Sequence, residues 1–175
     1  MLHRVTRRFK DMSTLKDLCL GAEKHALADQ QPAPGAEHFL LSALDLPDGT
    51  ARGAFERMDM DPAGVRPALT RQHHDALRST GISPETISEV MAEVKPLRDR
   101  FGAYNAAPSG RAVMQALAHR ADADRTPLLG AHVVAVIAAM PRDTTARALH
   151  RMGVGLDDLR AAAEAEIEAS HSLNP

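Results

Sequence analysis

The chain has 175 residues, 44% apolar and 25% charged, enough to bury a core without disulfides or metals as staples. A net charge of -2 argues against general nucleic-acid binding, and no run approaches the roughly 20 apolar residues of a membrane span. Aromatic residues are 3% and tryptophan is absent, so the core must be Leu, Val, Ala, Met and Ile, which favours helices.

The first twelve residues carry Arg4, Arg7, Arg8 and Lys10 and read as a solvated basic tail. No apolar stretch of the secretory type follows them. A helix is predicted over 13–29, with Leu15, Leu18, Cys19, Ala22 and Ala26 at helical spacing and Ser13 or Thr14 as its cap. Pro32 and Pro34 end it. A second helix covers 36–46 and a third runs from Thr50 to Met58. Asp61 reads as the N-cap of a fourth, with Pro62 at its first position, extending to about Leu77.

The segment 79–108 reads as a linker with an extra helix over 83–95. Ser83 caps it, Pro84 opens it, and Ile87, Val90, Met91 and Val94 share one face, which either belongs to the core or docks a partner. Helices then resume over 109–122, 130–140, 143–152 and 156–169, followed by a tail, 170–175. No segment alternates as a strand does, so the fold class is all-α. Isolated helices of about ten residues are marginal in water, so these must be held by packing against one another.

Sliding the chain against itself by 94 residues superposes His25 on His119, His38 on His132, Thr50 on Thr144 and Arg66 on Arg160. Arg57-Met58 falls on Arg151-Met152, and apolar positions match as well, such as Leu40 with Val134 and Phe55 with Leu149. The punctuation suggests a duplicated four-helix unit, residues 13–78 and 109–169, packed as a pseudo-twofold pair in one domain.

The string "EHFLLSAL" from Glu37, followed by "AFERMDMD" from Ala54 and a weaker second copy, resembles the double amino-terminal repeat of the Clp ATPases, the Clp-N domain. The likeness covers about 12–69 and 109–163, and the long 79–108 segment departs from it. The resemblance implies a bacterial protein- or peptide-binding module that serves Clp-type proteolysis as a chaperone, recognition domain or adaptor, with protein clients and a Clp ATPase as partners. It also implies, as an alternative, a protein that sequesters cyclic-peptide antibiotics. The chain carries no G-x-x-x-x-G-K-[ST] string, so ATP binding by that route is not expected.

By the same resemblance, Glu37 would hold the guanidinium of a phosphoarginine-marked protein, since a carboxylate matches that fork. The phosphate would lie at the first-helix starts, near Ser13 and Thr14 in the first copy and near Ser109 and Arg111 in the second, where helix amides suit an anion. Ala131 stands in the place of Glu37 in the second copy, so at most one site is complete. The plainer reading makes Glu37 a helix-start charge favoured by the helix dipole, and His38 and His132 packing residues.

Nine histidines include the neighbours His73 and His74, but these point about 100° apart on a helix and no zinc motif is present, so no metal or cofactor is expected. Cys19 lies on an apolar stripe and reads as an inert thiol; as the single cysteine it excludes an internal disulfide, and a reducing cytoplasm is the expected compartment. No constellation points to an enzyme.

Overall fold

A computed structural model describes residues 2–79, 106–123 and 127–172, and these form an all-α fold of eight helices. They are α1 (Leu2–Ala28), α2 (Ala36–Asp45), α3 (Thr50–Glu56), α4 (Val65–Ser79), α5 (Pro108–Ala123), α6 (Gly130–Ala138), α7 (Thr144–Arg151) and α8 (Leu156–Ser172). A 3-10 turn, Pro62–Gly64, leads into α4, and Asp61 caps it by accepting from the Ala63 N–H at 2.9 Å. The extra helix expected over 83–95 lies outside the described residues.

Three expectations need correction. Ser13 and Thr14 do not cap α1, which begins eleven residues earlier at Leu2, so most of the expected basic tail is helical. The reason is in the sequence: no proline or glycine interrupts 2–20, and a serine or threonine inside a helix is tolerated. The fourth helix opens through the 3-10 turn rather than directly at Pro62. The last helix runs three residues beyond the expected boundary, to Ser172.

Helix starts and stops recur at the 94-residue spacing. Ala36 and Gly130 open α2 and α6, and Thr50 and Thr144 open α3 and α7. The end of α3 and the end of α7 use one device. Met60 N–H bonds to Phe55 O at 3.1 Å and Asp59 N–H to Glu56 O at 3.0 Å; Val154 N–H bonds to Leu149 O and Gly153 N–H to His150 O, both at 3.0 Å. Each is a Schellman cap with its turning residue in the left-handed region, Asp59 (φ 55°) and Gly153 (φ 81°), which are themselves 94 residues apart.

The core forms around α2 and α6. All nine residues of α6 are buried, as are Ala36 and the run from His38 to Leu44 in α2. Helices buried on nearly every side read as apolar throughout, and α6, from Gly130 to Ala138, has only His132 as a polar side chain. Around this pair, α1 packs on α2 and α5 on both α2 and α6. The third helix of each half packs on the fourth helix of the other, α3 on α8 and α7 on α4.

Ion pairs follow the same exchange: Arg57, the C-cap residue of α3, pairs with Glu166 of α8 at 2.5 Å, and Arg151 of α7 pairs with Asp75 of α4. No helix among the described residues is long and apolar enough to cross a membrane.

Candidate functional site

The histidine that opens each central helix has a definite task. Gly35 and Leu129 are the N-cap residues of α2 and α6, and neither side chain can accept a hydrogen bond. His38 reaches back three residues and its Nδ1 accepts the Gly35 N–H at 2.9 Å; His132 Nδ1 accepts the Leu129 N–H at 3.1 Å. This is half of a capping box, with imidazole where Glu or Gln usually stands.

In the first half the histidine is also the end of a chain of polar contacts. With Nδ1 accepting, the His38 ring proton sits on Nε2, which faces Asp29 Oδ2 at 3.4 Å. Asp29 Oδ1 accepts from Arg66 Nη1 at 3.1 Å, and Arg66 Nη2 donates to His25 Nδ1. His25 Nε2 then faces Asp45 Oδ2 at 2.8 Å. A guanidinium only donates, so this arrangement also puts the His25 ring proton on Nε2, toward Asp45. Burial holds the His38 imidazole down at about 4, helped by His25 and Arg66 and opposed by Asp29.

Beside this chain lies a cleft of about 250 Å3, formed by the end of α1, the start of α2, one face of α4 and the first residue of α7. Asp29, Gln31, Glu37, Arg66, Thr70 and His73 are among its lining residues. Glu37 sits at the helix start with its carboxylate close over Gly35; a Cβ there would lie 2.5 Å from Oε2. Burial pushes the Glu37 carboxyl above the usual range. A hydrogen bond from its own backbone N–H opposes this, and the charges of Asp143 and Asp29 add to it. His38 Nδ1 lies 3.5 Å from Glu37 Oε1 but is already engaged with Gly35, and no Lys or Arg among the described residues pairs with Glu37.

The residues expected to hold a phosphate are placed elsewhere. Ser13 and Thr14 lie inside α1, where the backbone amides are spent on helical bonds, so no helix-start amides stand there for an anion. Ser109 lies in the first turn of α5 and its hydroxyl accepts the Ala36 N–H at 3.1 Å, across the two halves of the chain. It therefore comes close to Glu37 rather than to a site in its own half. Arg111 is exposed on α5 and does not line the cleft. The start of α6 is closed in the reciprocal way: Asp48 Oδ2 accepts from Gly130 N–H at 3.1 Å and Thr50 Oγ1 from Ala131 N–H at 2.9 Å. Both central helix starts thus have amides occupied by side chains from the other half.

Sequence reasoning singled out Glu37 but not the residues around it. His25 and Arg66 stood out as repeated positions without being connected to a site. Asp29 and Asp45 were missed, though the same 94-residue shift marks them by contrast. The three basic groups recur as His119, His132 and Arg160, whereas the three carboxylates, Asp29, Glu37 and Asp45, become Ala123, Ala131 and Ala139. The cleft chemistry belongs to the first half.

No protein-family model matches the chain, and no curated protein matches it. Among the described residues no cluster of His, Cys, Asp or Glu is placed to hold a metal ion.

Proposed function

We infer that the chain is a non-catalytic protein- or peptide-binding module that recognises substrates or adaptors for Clp-type ATP-dependent proteolysis. The observation that carries this reading is the cleft at the start of α2, where Glu37 presents a carboxylate without a Lys or Arg partner among the described residues. A half-buried carboxylate of that kind gains most from a cation brought by a ligand. The resemblance of "EHFLLSAL" to the Clp-N repeat adds the pathway, and the exchange of third and fourth helices between halves fits a paired repeat. His38 is committed to a cap and to Asp29, which supports a structural part for it rather than a catalytic one.

The cleft is smaller than the roughly 300–1,000 Å3 of sites for drug-sized molecules, which favours a single side chain over a cyclic peptide. The test is a pull-down from a lysate of the source cells with wild type and Glu37→Gln as bait, quantified by mass spectrometry. The expected result is recovery of a Clp ATPase or its clients by wild type and their depletion with the variant. Recovery of neither above background refutes the reading.

A further inference from the structure

We propose that Arg66 is an internal stand-in for the ligand of this cleft: a basic side chain without a phosphate enters by taking its place on Asp29, beside Glu37. The proposal rests on the reading of the cleft as a peptide site and names what that site selects. Three observations carry it.

First, the chain itself shows that a guanidinium fits there, because Arg66 lines the cleft and seats Nη1 on Asp29 Oδ1 at 3.1 Å. Second, that seat is weak enough to yield. The Arg66 side chain is 41% exposed and Asp29 37%, and ion pairs at such exposure are weak. Arg66 can swing to water, giving up its bond to His25 Nδ1, while an incoming guanidinium or ammonium replaces it, so the exchange leaves Asp29 paired throughout. It adds an interaction with Glu37, which Arg66 does not make.

Third, the helix-start amides that would greet a phosphate are already engaged. The Gly35 N–H is held by His38 and the Ala36 N–H by Ser109. A phosphorylated guanidinium would meet Asp29 and Glu37, with Asp143 close enough to act on Glu37, and find neither of those amides free. The second half supplies an internal comparison: it keeps the arginine as Arg160 but has Ala123 and Ala131 where the two receiving carboxylates stand.

The experiment measures binding of three fluorescein-labelled pentapeptides by anisotropy: one with a central arginine, one with phosphoarginine, one with the neutral isostere citrulline. Wild type is expected to bind the arginine peptide best. Arg66→Met should tighten that binding roughly fivefold by removing the competitor. Arg66→Lys, which keeps the charge, should give less than half of that gain. Asp29→Asn and Glu37→Gln should each weaken it, and circular dichroism establishes that every variant is folded.

Unchanged or weaker arginine binding in Arg66→Met, with loss still seen in Glu37→Gln, overturns the stand-in and leaves the peptide site standing. Tighter binding of phosphoarginine than of arginine by wild type, lost in Arg66→Met, overturns it too, since Arg66 would then be a phosphate receiver. If Arg66→Met does not fold, arginine affinity unchanged in Asp29→Asn overturns it instead. Binding of no peptide by any protein defeats both the site and the inference.

Discussion

His38 makes the stability of the fold depend on pH in a window set by one side chain. Its ring is 1% exposed, and Nδ1 accepts the Gly35 N–H, so a second proton would have to sit where a donor already points. The folded value is about 4 against 6.5 for the free imidazole. Between these values the unfolded chain binds more protons than the folded one. The contribution is therefore present above pH 6.5 and is lost as pH falls through the window toward the folded value.

At about 1.4 kcal/mol per unit, the loss between pH 7 and pH 4 is about 3 kcal/mol. Glu37 acts in the opposite sense: its raised carboxyl favours the folded state at low pH, and that gain is lost as pH rises through its folded value. The His38 part is isolated by comparison with His38→Gln, which can still reach back to the Gly35 N–H but does not titrate. Urea unfolding of both proteins at pH 7, 6, 5 and 4 should show wild type losing about 3 kcal/mol more than the variant. Parallel losses in the two proteins would refute the reasoning.

Three further outcomes are expected. Asp59→Gly should raise stability by about 0.5 kcal/mol, because the left-handed turn that Gly153 makes in the second half is strained for aspartate, and a melting curve would show a rise of about 1–2 °C. Gly21→Ala should cost about 1–3 kcal/mol despite better helix propensity, since the new Cβ would lie 2.2 Å from Ser42 Oγ, which donates to Leu18 O; addition of Ser42→Ala should recover part of the loss in denaturant titrations. The Cys19 thiol is pushed up by burial and by Glu23, so its alkylation by iodoacetamide at pH 7 should run slower than that of the urea-unfolded chain.

The fold was legible because its punctuation is local. Pro32, Pro34, "LPDGT" and Asp61-Pro62 mark boundaries by backbone chemistry alone, and the observed helix ends fall within a few residues of them. The start of α1 was not legible in the same way: Ser13 has the chemistry of a cap, but nothing stops the helix from continuing back through 2–12. At the site, Glu37 stood out because an acid and a histidine interrupt an apolar run. Asp29 lies just beyond the end of α1, Asp45 ends α2 and Arg66 lies in the first turn of α4, and their meeting depends on how those helices cross. Pattern reading along one helix cannot find them, whereas asking which repeated positions change charge would have. The role of Ser109 was missed for a related reason, since its partner lies 73 residues away in the other half.

The reciprocal caps at the two central helices have a consequence for how the molecule folds. Ser109 closes the start of α2, while Asp48 and Thr50 close the start of α6, over separations of 73, 82 and 81 residues. Neither half finishes its own central helix, so a fragment containing only one half would leave unpaired amides at its most buried end. Unfolding should therefore be a single all-or-none transition despite the internal repetition, and folding should wait on long-range encounter more than its all-helical make-up suggests. That mutual dependence also keeps whole the scaffold that presents the first half's cleft, although the second half carries alanine at the three positions matching its carboxylates.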